Sequence, residues 1–363
     1  NDGVDNNCDG SPNTCTWPST ADLTDFYTFS GQSMDDAFGH EVGIADLDGD
    51  GRSEALVLSD YEYGMAHDSR GGTLHGIGLA SLTTESITDA NYHLRSDHDA
   101  SLTLHNDFDT RDVDGDGYDD LLIGLQDSTA EDESAVGWGI FMYGPISGAD
   151  VIVPGNQDWS LQGNVGSLAF GSTVAILSDM TGDGVVDHLV GNRFASADHE
   201  YEGSAYLISG SSTGDLDLDS DPVAAFFGDE DGLRLGVDAV GLDLDSDGFQ
   251  DLAIGAAWAH RGVGGVGVFP GRARGDYVYA DADAHFAGEG PYAYTGVQVD
   301  TLNDANGDGI DDLLIAGNDN NSLYIVFGST TLQTISLSDA DVKIRGDSGA
   351  ATGNSTRAVG DLD

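Results

Sequence analysis

Short apolar runs, four to six residues long and flanked by Gly or acidic residues, recur along the chain: Gly139–Tyr143, Ser204–Ile208, Val266–Phe269 and Leu323–Phe327, with Val223–Phe227 as a further run of this kind. Runs of this length, rich in β-branched and aromatic residues, read as strands, because an amphipathic helix needs ten or more residues with apolar positions three and four apart. No stretch of that helical kind competes. A larger phrase repeats around these runs: an apolar segment, an acidic Gly-containing loop, and a second apolar segment. Five complete copies begin at Asp46, Asp112, Asp179, Asp243 and Asp304, with steps of 66, 67, 64 and 61 residues, and a sixth opens at Asp361 and stops at Asp363. Each unit of roughly 60 residues has room for four short antiparallel strands, the size of one propeller blade. The expected fold class is therefore all-β, a β-propeller of four-stranded antiparallel blades with a last blade left incomplete.

The loops share one nine-residue spacing. Position one is Asp46, Asp112, Asp179, Asp243 or Asp304, and position three is Asp48, Asp114, Thr181, Asp245 or Asn306. Position five is Asp50, Asp116, Asp183, Asp247 or Asp308, and position nine is Glu54, Asp120, Asp187, Asp251 or Asp312. A Gly occupies position six in every copy, where it permits a sharp reversal. Oxygens converging from alternate positions of a curled loop suit a hard cation with six to eight ligands. Backbone carbonyls of Arg52, Tyr118, Val185, Phe249 and Ile310 at position seven would add one ligand each. Magnesium prefers a rigid octahedron and keeps its waters, and transition metals want His or Cys, which these loops lack. Calcium is the expected cofactor, about five ions and six or more if further loops bind.

An EF-hand begins the same way but requires Glu at position twelve, inside a helix. Here that position is Val57, Ile123, Val190, Ile254 and Ile315, so each loop should run into a buried strand and position nine should close the site. Five loops in phase also outweigh the alternative that Asp-Gly runs are merely solvated turns.

Charge sharpens this picture. The chain has 363 residues, with 65 Asp+Glu against 12 Lys+Arg and a net charge of −53. Fifty-five of the acids are Asp, a poor helix former and a good turn residue and metal ligand. Lys343 is the single lysine, which excludes nucleic acid as a partner because phosphate contacts need cationic side chains. No apolar stretch is long enough to span a membrane. The five loops hold 18 carboxylates that would repel one another without cations, so metal binding should contribute to folding. The chain starts at Asn1 rather than Met and ends inside a motif, as expected of a processed, internal or truncated product.

The repeats resemble the FG-GAP repeats of integrin α-chain β-propellers and their bacterial relatives. Phe38-Gly39 and Phe170-Gly171 match the Phe-Gly pair, Leu235-Gly236 and Thr295-Gly296 match loosely, and the second unit departs with Asn106-Asp107-Phe108. Gly255-Ala256-Ala257 matches the Gly-Ala-Pro-like tripeptide, and Gly124-Leu125-Gln126 and Gly191-Asn192-Arg193 match it more faintly. The resemblance covers roughly residues 30 to 363. It implies calcium loops in the hairpins joining the first two strands of each blade, on one rim, with a structural role. The family usually has seven blades, which leaves ring closure open.

Residues 1–20 form a separate N-terminal Cys-containing segment, and 21–363 the propeller. Asn1–Gly10 resembles a short metal-binding motif with Cys-Asp-Gly from secreted and surface proteins of bacteria. Asp5, Asn7 and Asp9, followed by Gly10, repeat the calcium pattern, while Ser11–Thr14 departs from it. Cys8 and Cys15 either pair, which would fit an oxidising compartment, or stand as free thiols.

No metalloprotease, Gly-x-Ser-x-Gly or phosphate-loop signature occurs, and the expectation is a non-catalytic protein. His188, next to an acidic loop, reads as a strand-surface residue. Loops joining the second and third strands should form the opposite rim: 61–70, 126–133, 193–201 and 256–261. Their mixture of aromatics, Arg and acids suits recognition of a protein or glycan, with Trp258 and Tyr63 as first contacts. The expected function is a calcium-stabilised adhesion or recognition module of an extracellular, cell-surface protein. The alternative is a structural subunit of an extracellular filament or matrix assembly, built from copies of this chain.

Overall fold

The computed structural model describes residues 29–30, 38–59, 73–78, 85–86, 92–96, 107–126, 137–146, 150–153, 157–164, 169–317 and 322–346. Strands form where the apolar runs place them, and they assemble into five successive blades of a β-propeller. The first blade contains Phe38–Ala45, Glu54–Ser59, Thr73–Gly78 and Tyr92–Ser96. The second contains Asp107–Arg111, Asp120–Leu125, Trp138–Met142 and Trp159–Gln162. The third is Phe170–Ile176, His188–Asn192, Ser204–Ile208 and Ala224–Phe227. The fourth is Leu235–Leu242, Asp251–Ala256, Gly265–Phe269 and Ala284–Ala287. The fifth is Thr295–Thr301, Leu313–Gly317, Ser322–Val326 and Val342–Arg345.

Within each blade the four strands pair antiparallel in chain order, and the first strand of each blade packs on the first strand of the next. A blade between two others is covered on both faces. Its second strand is therefore buried throughout rather than on alternate positions, as in Asp120–Leu125, His188–Asn192 and Asp251–Ala256; Leu313–Gly317 of the fifth blade is buried at every position too. The core consists of clusters between blades, one of which joins Phe141, Trp159, Phe170 and Val190.

One expectation is corrected. Four of the five blade sheets have five strands, not four. The connection between the third and fourth strands of one blade supplies a short strand that pairs parallel with the fourth strand of the preceding blade: Asp150–Val153 on Tyr92–Ser96, Gly214–Leu216 on Trp159–Gln162, Gly275–Val278 on Ala224–Phe227, and Ile335–Ser336 on Ala284–Ala287. Parallel pairing between units 60 residues apart leaves no local sequence signal. The parallel pair Phe29–Ser30 with Glu85–Ser86 has the same form. The blade expected to be incomplete, begun at Asp361, lies outside the described residues, and the fifth blade has all four of its strands.

The Phe-Gly and Gly-Ala-Pro-like motifs meet across blades. Gly171, Gly236 and Gly296 have left-handed backbone, and the strand register shifts just after each. Their carbonyls face Gly124, Gly191 and Gly255 of the preceding blade, where a Cβ would lie 2.1, 2.8 and 2.1 Å from the oxygen. Glycine is needed on both sides so that two backbones can approach within van der Waals contact.

Candidate metal centre

All five acidic loops lie at one end of the propeller, between the first and second strands. In each, the position-one carboxylate folds the loop by accepting backbone N–H groups. Asp46 accepts from Gly49 and Gly51, both at 2.9 Å, and Asp112 from Gly115 at 2.8 Å and Gly117 at 3.1 Å. Asp179 accepts from Gly182 and Gly184, Asp243 from Asp247 and Gly248, and Asp304 from Gly307 and Gly309. The outer acids follow the same logic, with Asp48, Asp114 and Asp245 each accepting the N–H two residues on at 3.0 Å. Both oxygens of each position-one carboxylate are used in this way, so these acids act as the folding centre of their loops.

Position nine differs. Glu54, Asp120, Asp187, Asp251 and Asp312 are all buried at the start of their second strands. One oxygen accepts an N–H from within the loop: Leu47 to Glu54 (3.2 Å), Val113 to Asp120 (2.8 Å), Thr181 to Asp187 (2.6 Å), Leu244 to Asp251 (3.2 Å) and Ala305 to Asp312 (2.9 Å). In the last four, the other oxygen accepts from a glycine after the third strand: Gly144, Gly210, Gly271 and Gly328. This carboxylate thus ties the acidic loop to the neighbouring hairpin.

Burial, reinforced by the other carboxylates of the loop, pushes Glu54 up to about 7, and the same causes push Asp251 to about 7 and Asp120 to about 6. Asp187 and Asp312 are also raised, chiefly by burial. Buried carboxylates that favour protons in this way are short of positive charge, and an oxygen-only donor set matches a hard divalent cation.

Convergence separates the loops. Asp46, Asp48, Asp50 and Glu54 place ligand oxygens within 4.8 Å of one another, as do Asp112, Asp114 and Asp120, and Asp243, Asp245 and Asp251. Asp116 and Asp247 stand outside their groups. The third and fifth loops form no such group among the described residues. There Thr181 donates its hydroxyl to Asp187 at 3.3 Å, and Asn306 donates to Asp308 at 3.0 Å. Ser209 and Ser211 also donate to Asp183, holding that carboxyl below its ordinary range. The Arg274 guanidinium donates to the Thr181 carbonyl. Protein donors thus take part of the role a cation would have in the third loop.

The reading of positions one to nine omits position eight. Asp119 accepts from Asp46 N–H at 2.8 Å, Gln250 from Ser178 at 2.6 Å and Asp311 from Asp243 at 3.0 Å, so the second, fourth and fifth loops are each wired to the loop region of the preceding blade, while the third has Val186 at this position. The recurring polar residue just before position nine was the available signal. His188 is buried rather than on the strand surface. Its ring packs 4.4 Å from Phe141 and 5.4 Å from Trp159, and burial pushes it down to about 3. Asp5, Asn7, Asp9, Cys8, Cys15 and Tyr63 lie outside the described residues.

No protein-family model matches the chain. It is 31% identical over 153 residues, 42% of its length, to phosphatidylinositol-glycan-specific phospholipase D of Mus musculus. Over 239 residues, 61% of its length, it is 26% identical to integrin alpha pat-2 of Caenorhabditis elegans, and over 238 residues 29% identical to integrin alpha-PS2 of Drosophila melanogaster. The chain spans 18%, 18% and 15% of these three relatives. Its described residues form five blades of a β-propeller, and the chain has distant similarity to integrin alpha chains.

Proposed function

We propose that this chain is a calcium-stabilised, non-catalytic recognition or adhesion module of an extracellular or cell-surface protein. Calcium would be held by positions one, three, five, seven and nine of the five loops, and by the Asp5, Asn7 and Asp9 segment where that motif binds. The supporting observation is the burial of all five position-nine carboxylates beside further acids, which a divalent cation would neutralise. The similarity to integrin alpha chains supports the adhesive role. With one rim committed to metal, the opposite rim is free to meet a protein or glycan partner.

Calcium stoichiometry by calorimetric titration, combined with melting in calcium and in chelator, tests this reading. Five or more ions per chain and a large loss of stability in chelator are expected. Fewer than three ions, or an unchanged melt, would sink it.

One observation favours the second reading, a structural subunit of an extracellular assembly. Val42 and Ile44 on the inner strand of the first blade are 57% and 68% exposed, whereas Val174 and Ile176, at the matching places in the third blade, are buried. An uncovered apolar face invites a second copy. Size-exclusion chromatography in calcium separates the two readings, since a module elutes as a monomer and an assembly subunit does not.

A further inference from the structure

The end of the propeller away from the acidic loops has a different character. Among the described residues it is formed by the loops after the second strands of the third and fourth blades and the segments entering the first strands of the fourth and fifth. Nine described non-glycine residues have left-handed backbone, and six gather here: Tyr201 (φ 54°), Arg234 (58°), His260 (51°), Arg261 (66°), Tyr292 (62°) and Tyr294 (46°). Each costs about 1–2 kcal/mol relative to ordinary backbone and persists only where the surroundings enforce it. Here they do: Arg234 N–H donates to the Tyr201 carbonyl at 3.1 Å and Tyr294 N–H to the Gly262 carbonyl at 3.0 Å. Two residues before Arg234 the chain uses Gly232 for this conformation, but two residues before Tyr294 it uses Tyr292, whose side chain is 65% exposed. Strain is thus accepted to present a large side chain.

The charges are equally unusual. Arg193 and Arg234 lie on the same Phe194 ring, 5.0 and 4.7 Å from its centre, and Arg234 also lies 4.0 Å from the centre of Trp258. Tyr294 continues the row, 5.1 Å from Trp258. Arg193 donates to Gln126 at 3.1 Å, and among the described residues no carboxylate pairs with either guanidinium. Burial and the neighbouring Arg234 lower Arg193 to about 10. In a chain with 65 acids and 12 bases, two mutually repelling guanidiniums with no carboxylate partner among the described residues are poised for an anionic group. Beside them is an open hollow of about 760 Å3 lined by Glu230, Asp231, Trp258, Arg261, Tyr292 and Tyr294. His260 also reaches it, 3.5 Å from Glu230.

We propose that this rim binds a carboxylated saccharide, a uronic acid unit of a glycan. This rests on the reading of the rim as a recognition surface and names the chemistry of its ligand. Aromatic shelves accept the C–H face of a sugar ring, Glu230 and Asp231 accept its hydroxyl protons, and guanidinium edges receive a single carboxylate. A cationic ligand is disfavoured because Arg234 already covers a face of Trp258. An acidic peptide has no hydroxyl-rich ring to offer Glu230 and Asp231.

The test titrates the calcium-loaded full chain with trigalacturonate, neutral trigalactose and an Asp/Glu hexapeptide, followed calorimetrically. Trigalacturonate should bind at least tenfold more tightly than trigalactose, and Arg234→Gln, Arg261→Gln and Trp258→Ala should each weaken it tenfold or more. Arg261 is on the surface, so its variant keeps the test valid if another fails to fold. No binding of trigalacturonate at millimolar concentration, equal affinity for the neutral sugar, indifference to Arg261→Gln, or preference for the peptide would overturn the proposal. If trigalacturonate fails but Arg261→Gln still abolishes attachment of the protein to a cell surface, the saccharide falls and rim recognition stands.

Discussion

Removing divalent cations should weaken this fold by an amount set by how many loops bind, and the effect should grow as the pH rises. A site held at 100 times its dissociation constant adds about 2.7 kcal/mol. Three converging loops then give about 8 kcal/mol, and all five about 14 kcal/mol. At an unfolding entropy of about 2.1 cal/mol/K per residue over roughly 300 residues, the melting midpoint falls by about 13 °C in the first case and about 22 °C in the second. The pH sense comes from the buried acids. Glu54 and Asp251 at about 7 and Asp120 at about 6 stand above their ordinary 4.5, 3.8 and 3.8. The metal-free fold therefore binds more protons than the unfolded chain between about pH 4 and 7, and its stability, complete at the acid end, is lost as pH rises through that window. His188 acts in the opposite sense, disfavouring the fold below its ordinary 6.5, but it is one imidazole against five raised position-nine carboxylates. Calcium competes with these protons, so its stabilisation grows with pH. Differential scanning calorimetry at pH 5 and pH 8, in 10 mM calcium and in chelator, measures both quantities. A calcium effect below about 5 °C at pH 8, or one larger at pH 5, would refute the reasoning.

Three further outcomes follow from individual contacts. Gly255→Ala places a methyl 2.1 Å from the Gly296 carbonyl and should cost 3 kcal/mol or more, roughly the scale of overpacking, seen as a fall in melting midpoint with calcium present. Thr181→Asp adds a fourth carboxylate to the third loop; a chelator-competition titration should show calcium bound there about tenfold more tightly, while the metal-free protein melts lower. Asp119→Ala removes the acceptor of the Asp46 N–H and should cost about 1–3 kcal/mol, with calcium affinity reduced at the first loop although Asp119 is not among its expected ligands. Unchanged affinity at that loop would show that the link between blades has no part in shaping the site.

The acidic loops were legible because the candidate ligands and the N–H groups that curl each loop lie within nine residues. Asp112 and its N–H donors at Gly115 and Gly117, and Asp120 with Val113, are close in sequence, so spacing alone carries the geometry. The blades were legible for a similar reason: each hairpin joins neighbouring strands, and its apolar runs are continuous because both faces are covered.

Only the tertiary structure decided what passes between blades. The parallel fifth strands, the backbone contact of Gly255 with Gly296, and the reach of Asp119 to Asp46 join residues separated by 41 to 73 positions. The burial of His188 between Phe141 and Trp159, and the stacking of Arg193, Phe194, Arg234 and Trp258, depend likewise on which blade stands beside which. A local pattern fixes the donors a loop can offer. The packing of one repeat on the next fixes which of them lose their water and are left needing an ion or a ligand.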